Sequence, residues 1–279
     1  MKTFLVTGAS TGIGAACALD LDRLGHRVYA GVRREEDGNR LAASASGRMA
    51  PLILDITDQA AIDAAAKRIS EETGGTLDGL VNNAGVARGG PLEFLELDEW
   101  REQLEVNVIA QVAVTKATIP LLRKARGRVV FIGSIGGKVA SMLMGPYNAS
   151  KFAIEGIGEA LRYELNPWGI KVAVVEPGAI RTEIWSKATE TADRLEEAMP
   201  EEAASLYSSH MTKLRKTLEM QTRNAIPAQK VADSVTHALL DPRPRPRYLV
   251  GKDARAMSAM ARLLPDRARN AVVRRVAGP

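Results

Sequence analysis

Tyr147 and Lys151 stand four residues apart near the start of a predicted helix, and together they could move a proton. Residues at this spacing share one helix face, so the phenol and the ammonium group are expected to project together. A free phenol has a pKa near ~10, and an adjacent cation lowers that pKa toward working pH. Ser134 lies about a dozen residues upstream, after a predicted strand, where its hydroxyl can hydrogen-bond the same substrate oxygen. The three side chains predict acid–base chemistry on an oxygen atom.

A glycine-rich segment, residues 7–14 (TGASTGIG), lies between a predicted strand and a predicted helix. The glycines allow the backbone to approach a pyrophosphate, and the helix N-terminus offers N–H donors and a positive dipole. A tight turn without a ligand is the alternative interpretation. The strand–loop–helix context favours a dinucleotide-binding loop.

The end of the second predicted strand indicates which dinucleotide binds there. An acidic residue at this place would hold the ribose 2′-hydroxyl of NAD, but residues 30–32 (AGV) are neutral and Arg33-Arg34 follows. Guanidinium groups suit a phosphate, so we predict that NADP(H) is preferred and that NAD(H) is usable. Glu35 and Glu36 could neutralise the arginines, which leaves a solvated charge run as the alternative.

Alternating β-branched runs and helical patterns must position these groups. Strands are predicted at residues 3–7, 27–31, 51–54, 79–82, 128–132, 171–175 and 248–250, and helices at 12–24, 58–72, 98–124 and 146–165. Asp58 and Asp98 are predicted N-caps, and Gly25 and Gly169 follow helix ends. We therefore predict an α/β protein. It is a single-domain Rossmann fold over residues 1–279, with a doubly wound parallel sheet of about seven strands and a helical substrate lid.

The order of the motifs resembles the short-chain dehydrogenase/reductase family. The matching positions are residues 7–14, residues 82–85 (NNAG), Asn107, Ser134, Tyr147-x-x-x-Lys151 and Pro177-Gly178. The resemblance covers about residues 3–182. It implies that Tyr147 is the acid/base, that Lys151 holds the nicotinamide ribose and lowers the tyrosine pKa, and that Ser134 orients the carbonyl. It also implies that Asn107 anchors a proton-relay water.

The same resemblance assigns further cofactor contacts. Asp55 would bind the adenine amino group, Asn83 would stabilise the central sheet, and residues 84–85 would line the adenosine. The full predicted cofactor set is Gly8, Ser10, Thr11, Gly12, Ile13, Gly14, Arg33, Arg34, Asp55, Ile56, Asn83, Ala84, Gly85, Tyr147, Lys151, Pro177, Gly178, Ile180 and Thr182.

Three further segments resemble the branch of 17β-hydroxysteroid and retinol dehydrogenases: residues 28–31 (VYAG), 167–172 (PWGIKV) and 175–178 (VEPG). This implies an NADP(H)-dependent oxidoreductase that interconverts a secondary alcohol and a ketone or aldehyde on a bulky apolar, steroid-, retinoid- or lipid-like substrate. A 3-oxoacyl thioester reductase and a non-catalytic dinucleotide-binding sensor are the alternatives. The helices around 98–124 and 146–165 often form subunit contacts in such relatives, so a homodimer or homotetramer is expected.

Two segments extend this pattern. Residues 182–226 form a polar, helix-rich insertion with apolar positions at Trp185, Leu195, Met199, Leu206, Tyr207, Met211, Leu214, Leu218 and Met220. The insertion is either a cover packed on the domain or a lid over the nicotinamide pocket, and residues 142–144 (MLM) could line that pocket.

Residues 253–279 form a basic helical tail broken at Pro265. It is a solvated helix, a subunit contact or a contact with an anionic membrane surface. No predicted site residue lies in the tail, so its deletion is expected to leave the cofactor site folded.

Composition excludes several other classes. The net charge of +5 arises in residues 243–279, which hold ten Arg or Lys and two Asp, without the interleaved aromatics that nucleic-acid binding uses. His26, His210 and His237 lack metal-ligand spacing, so no metal is predicted. Cys17 is the only cysteine and fits a buried filler in a reducing compartment. Without a visible signal peptide or an apolar run of about 20 residues, we expect a cytoplasmic protein.

Overall fold

Seven short aliphatic runs form one parallel sheet. The computed structural model describes residues 1–182 and 200–277. Its main-sheet strands are β1 (Thr3–Val6), β2 (Arg27–Val32), β3 (Met49–Ile53), β4 (Gly79–Asn82), β5 (Arg128–Ile132), β6 (Lys171–Pro177) and, last in the chain, β9 (Arg247–Val250). The order is β3-β2-β1-β4-β5-β6-β9, and every neighbouring pair is parallel. All seven predicted strands are confirmed, with ends that differ by at most two residues.

Ten helices occur in the described ranges. They are α1 (Gly12–Arg23), α2 (Glu35–Ala42), α3 (Gln59–Thr73), α4 (Leu97–Leu104), α5 (Ala110–Ala125), α6 (Gly145–Leu165), α7 (Glu201–Asn224), α8 (Gln229–Leu240), α9 (Lys252–Leu263) and α10 (Asp266–Ala277). Strand side chains alternate between two cores, so Phe4 and Val6 face α1 and α8, whereas Leu5 faces α3, α5 and α6. Helices on both faces confirm the doubly wound fold. The pattern had not predicted α2 or α8.

Helix ends agree in part with the predicted caps. The Asp58 side chain accepts a hydrogen bond from the Ala60 N–H at 2.9 Å and caps α3 as predicted. The prediction for Asp98 is wrong, because α4 begins at Leu97 and Asp98 lies in its first turn, bonded to Arg101. The predicted helix 98–124 is also not uniform, since a π-helical turn, Glu105–Ile109, joins α4 to α5.

Two adjacent short strands connect the insertion, residues 182–226, to the rest of the domain. Strand β7 (Ile180–Arg181) pairs in parallel with β8 (Ile226–Pro227), and α7 lies between them in sequence. In α7, Met211 is buried whereas Leu206 and Met220 are exposed. The positions Trp185, Leu195 and Met199 lie outside the described residues. The paired strands coincide with the predicted limits 182–226, while the role of a substrate lid stays a prediction.

The basic tail consists of two helices, as its sequence predicted. Pro265 separates α9 from α10, and α10 contacts α7. Leu263, at the end of α9, is 76% exposed. Within the described ranges, no helix is both long enough and apolar enough to cross a membrane.

Cys17 is fully buried in α1, and burial raises the pKa of its thiol, which fits a filler rather than a nucleophile.

Candidate functional site

The parallel strands bring their carboxyl ends to one edge of the sheet, where a cleft of about 1250 Å³ opens. Nearly all the predicted site residues line it. They are Gly8, Ser10, Thr11, Gly12, Ile13, Arg33, Arg34, Asp55, Ile56, Asn83, Ala84, Gly85, Ser134, Tyr147, Lys151, Pro177, Gly178, Ile180 and Thr182. Gly14 and Asn107 do not line the cleft but lie behind its wall, where they support the lining residues.

The glycine loop is shaped for close backbone contact. Gly8 has φ +61°, and a Cβ there would lie 2.7 Å from the Ala84 Cα. A Cβ on Gly14 would lie 2.2 Å from the Gly8 carbonyl oxygen. Thr11 precedes α1 without a side-chain cap, so the first N–H groups of the helix are left for another acceptor. These features fit a bound pyrophosphate.

Asn83 holds the ends of β1 and β4 together. Its side-chain amide donates to the carbonyl oxygens of Thr7 and Gly8, both at 2.9 Å. The Thr7 hydroxyl in turn accepts from the N–H groups of Asn83 and Ala84, at 3.0 and 3.1 Å. This geometry agrees with the sheet-stabilising role predicted for Asn83, and it fixes the glycine loop against the wall of the cleft.

The end of the cleft that carries Arg33 and Arg34 contains one more arginine than predicted. Helix α2 brings Arg40 to the lining beside Arg33 and Arg34. Asp37 accepts from Arg34 at 3.1 Å and from Arg40 at 2.6 Å, and the Arg34 hydrogen bond is the main cause that holds the Asp37 pKa below its usual range. Among the described residues, Arg33 forms no ion pair.

In the alternative interpretation Glu35 and Glu36 would neutralise this charge, but they form no ion pair within the described ranges. Asp37 takes that role for Arg34 and Arg40 instead. The contacts of Asp37 were not predicted from the sequence because they depend on α2, a short polar helix. The register of α2 turns Asp37 inward and leaves Glu35 and Glu36 exposed.

Asp55 is held ionised at the next position around the cleft. Its carboxylate accepts from the backbone N–H of Thr57 at 2.9 Å and from the Thr57 hydroxyl at 2.7 Å. These bonds, with a smaller contribution from the charge of Arg33, lower the Asp55 pKa. An ionised acceptor thus lies at the cleft, and the contact with an adenine amino group stays a prediction.

Tyr147, Ser134 and Lys151 converge on the cleft as their spacing predicted. Burial raises the pKa of the Tyr147 phenol, and a hydrogen bond with Ser134 acts in the opposite direction. The Lys151 Nζ lies 5.7 Å from the centre of the Tyr147 ring and donates to the Ile132 carbonyl oxygen at 2.8 Å. Lys151 is not among the causes of this shift, so the lowering of the tyrosine pKa by Lys151 stays a prediction. Burial also lowers the pKa of Lys151, to about 8.

Asn107 is fully buried in the π-helical turn. Its side chain accepts from the Val86 N–H at 2.8 Å and donates to the Val86 carbonyl at 3.0 Å and the Ser150 hydroxyl at 3.1 Å. Two further buried amides hold the same stretch: Gln103 bonds to the Arg88 N–H and Gln111 to the Ala84 carbonyl. Sequence reasoning missed both glutamines. Their four-residue spacing on either side of Asn107 was the available signal.

Three apolar residues, 142–144, directly precede helix α6, which carries Tyr147. Leu143 is buried and adopts a left-handed backbone conformation, φ +62°, which is rare for a leucine. Its carbonyl oxygen accepts from the Gly90 N–H at 2.7 Å, and a Cβ on Gly89 would lie 2.4 Å from that oxygen. The two loops are thus joined directly, but residues 142–144 are not among those that line the cleft, and their predicted role in a substrate pocket stays a prediction.

Comparison with known proteins assigns the chain to a family. A short chain dehydrogenase family model matches residues 2–193. The chain is 34% identical over 273 residues to an NADPH-dependent 3-dehydrocapnine reductase of Ornithobacterium rhinotracheale, covering 96% of this chain and 94% of the relative. It is 36% identical over 262 residues to retinol dehydrogenase 16 of Rattus norvegicus, covering 91% and 82%.

A solved structure agrees with these relatives. A short chain dehydrogenase from Burkholderia cenocepacia in complex with NADP superposes with a TM-score of 0.72 at 27% identity, over 100% of both chains. The chain therefore belongs to the short-chain dehydrogenase/reductase family, within its retinol and steroid dehydrogenase branch, and is an oxidoreductase that interconverts alcohols and carbonyl compounds with a nicotinamide dinucleotide.

Proposed function

We propose that the chain is an NADP(H)-dependent oxidoreductase that interconverts a secondary alcohol and a ketone or aldehyde on a bulky apolar substrate. The observation that carries the proposal is the convergence of Tyr147, Ser134 and Lys151 on the cleft. The names of an NADPH-dependent reductase and a retinol dehydrogenase among its relatives support the same cofactor and substrate class.

Each side chain has a defined task in carbonyl reduction. The Tyr147 hydroxyl donates its proton to the substrate oxygen, and the raised pKa keeps that proton in place until charge develops there. The Ser134 hydroxyl donates a hydrogen bond to the same oxygen and fixes its position. Bound NADPH supplies the hydride. Lys151 supplies a positive charge beside the phenol and donors for a ribose hydroxyl, and Asn107 keeps residues 84–88 in place through Val86.

The cofactor preference rests on the cationic end of the cleft. Arg33 has no ion-pair partner in the part of the chain that the structure describes, and Arg34 and Arg40 are held at Asp37 beside it. Planar guanidinium groups bind phosphate oxygens with strong, charge-assisted hydrogen bonds. We assign the 2′-phosphate of NADP(H) to these arginines, and the adenine to the surroundings of Asp55 and Ile56.

The substrate class follows from what surrounds Tyr147. Leu143 is buried before α6, and Met142 and Met144 beside it are partly exposed, adaptable side chains that suit an apolar ligand of irregular shape. Helix α7 packs against the opposite loop, where the Tyr207 hydroxyl donates to Glu93 at 2.6 Å and its ring meets Phe94 edge-on. We infer that residues 182–226 act as a lid that excludes water above an apolar substrate.

The test is NADPH oxidation with a carbonyl panel: a retinaldehyde, a steroid ketone, a 3-oxoacyl thioester and a small cyclic ketone. We expect the highest kcat/KM for the retinaldehyde or the steroid. A higher value for the thioester would contradict the substrate class in favour of a 3-oxoacyl reductase. NADPH binding without turnover of any member would instead favour a dinucleotide sensor.

A homodimer or homotetramer is proposed for the active form. Exposed apolar side chains occur on the two helical segments expected at the subunit contact, with Ile109 56% and Phe152 46% exposed. Such surface is common at interfaces between subunits. Light scattering after size-exclusion chromatography measures the assembly, and a monomer at micromolar concentration would contradict the proposal.

A further inference from the structure

The tail begins against the loop that follows β6. The carboxylate of Asp253, in the first turn of α9, accepts a hydrogen bond from the Ala179 N–H at 2.7 Å. The preceding amide, that of Gly178, donates to the Val250 carbonyl oxygen at 2.9 Å. Two consecutive amides of the loop are therefore fixed by residues that directly precede or begin the tail.

Two glycines leave room for this carboxylate. A Cβ on Gly178 would lie 2.1 Å from an Asp253 carboxylate oxygen, and one on Gly251 would lie 2.3 Å from the other. Gly251 also has φ +114°, a conformation that other residues rarely adopt. The chain is thus side-chain-free at both points where it approaches the Asp253 carboxylate.

The backbone of Ala179 forms two hydrogen bonds, one through its N–H and one through its carbonyl oxygen. Its N–H donates to Asp253, while its carbonyl oxygen accepts from the Ile226 N–H at 3.1 Å, at the base of the insertion. The tail and the insertion consequently hold the same residue. A displacement of Ala179 would therefore disturb its contact with the tail and its contact with the base of the insertion at the same time.

The loop anchored in this way forms one wall of the cofactor cleft. Pro177, Gly178, Ile180 and Thr182 line that wall, and Thr182 reaches the glycine loop, where a Cβ on Gly12 would lie 3.2 Å from its methyl group. The position of this wall sets the space between the glycine loop and Tyr147. A loop held in one place before binding costs less free energy to order around a ligand.

We propose that Asp253 is a positioning residue for the cofactor, which fixes Ala179 so that the loop 177–182 is preorganised for the nicotinamide end. The tail is then a working part of the site rather than a separable appendage. This role rests on the proposed function, because it needs a nicotinamide to lie against that loop. It also replaces the expectation that the tail can be deleted without consequence, since a deletion of residues 253–279 removes the acceptor of the Ala179 N–H.

The experiment compares Asp253→Ala, Asp253→Asn and a control, Asp266→Ala, in the full chain. Asp266 lies in the first turn of α10 as Asp253 lies in the first turn of α9, but it is bonded to Arg269 and not to the loop. Asp253 acts on the cofactor only through Ala179, so Asp253→Ala should raise the NADPH KM by about fivefold to tenfold, less than the tenfold or more of a lost direct charge-assisted hydrogen bond, with kcat within about twofold. Asparagine keeps an oxygen that accepts from Ala179, so Asp253→Asn should restore the KM to near the wild-type value.

The melting temperature separates positioning from helix stability. A negative charge near a helix N-terminus stabilises that helix, and both variants at position 253 lose it. A purely structural role would therefore lower Tm in both variants and leave the two KM values alike. Wild-type turnover with an unchanged KM in Asp253→Ala, or equal KM values in the two variants, would refute the positioning role. A wild-type chain that neither binds nor oxidises NADPH would refute the proposed function instead.

Discussion

Arg33→Ala tests the proposed preference for NADP(H) at its most sensitive point. Arg33 follows β2, lines the cleft and has no ion-pair partner among the described residues, whereas Arg34 and Arg40 already share Asp37. Its guanidinium group is thus the one most available to a 2′-phosphate. Its removal should weaken NADPH use and leave NADH use nearly unchanged, because NADH carries no phosphate at that position.

The magnitude follows from the charges present. A charge-assisted hydrogen bond contributes roughly 1.5–3 kcal/mol, and ~1.4 kcal/mol corresponds to a tenfold change. The wild-type chain should therefore favour NADPH over NADH about ten- to hundredfold in kcat/KM. Arg33 is exposed and screened by salt, so Arg33→Ala should lose about tenfold, at the lower end of that range. Asp37 offsets part of the charge of Arg34 and Arg40, so Arg40→Ala should lose less than Arg33→Ala.

The assay measures kcat/KM for both cofactors with one carbonyl substrate at fixed ionic strength. Arg68→Ala is a matched control, since Arg68 lies on α3 and is bonded to Glu72. Raising the salt concentration should reduce the NADPH preference of the wild type and have a smaller effect on Arg33→Ala. Equal wild-type efficiencies, a preference for NADH, or an Arg33→Ala variant that matches Arg68→Ala would refute the reasoning.

Three further results are expected. Tyr147→Phe should lower kcat by ~10²-fold or more with little change in the NADPH Kd. The control Tyr163→Phe, at an exposed position, should behave as wild type. A Tyr147→Phe variant that keeps more than about a tenth of the wild-type kcat would contradict the acid role of Tyr147. Burial holds the Lys151 pKa at about 8, below that of an unfolded lysine, so the unfolded chain binds more protons between these pKa values. The contribution of Lys151 to the free energy of unfolding should therefore rise by up to about 3 kcal/mol between about pH 8 and pH 10. It is measured by urea unfolding as the difference between the wild-type chain and Lys151→Met, because the raised pKa of Cys17 lowers stability over the same range, and the exposed Lys67→Met should follow the wild type. Asn83→Ala should lower the free energy of unfolding by about 1–3 kcal/mol, because the Thr7 and Gly8 carbonyls lose their donor; an unchanged urea midpoint would show that solvent replaces the amide.

The parts of the molecule that the sequence predicted depend on local patterns. Strands β4 and β5 match their predicted limits because each is a short aliphatic run that ends at a change of residue type. The site residues follow those strands, and parallel topology brings the ends together. Tyr147, Ser134 and the glycine loop therefore converge without further information.

The parts that escaped prediction depend on distant contacts. Arg40 reaches the cleft only because α2, which is polar and contains Gly38, folds against β2 and β3. The pKa of Tyr147 depends on how deeply the phenol is buried, which a spacing of four residues does not reveal. Asp253 meets Ala179 across 74 positions of the chain, and no local pattern encodes that bond.

The pairing of β7 with β8 has a consequence for how specificity can change. The 44 residues between Arg181 and Ile226 begin and end on adjacent strands, so their own length does not affect the spacing of the sheet. The entropy of closing such a loop rises only slowly with its length. The proposed lid can therefore be lengthened, shortened or replaced, while the strands that carry Ser134 and the glycine loop keep their register. This separation lets one catalytic frame accept new substrates through changes confined to a single exchangeable segment.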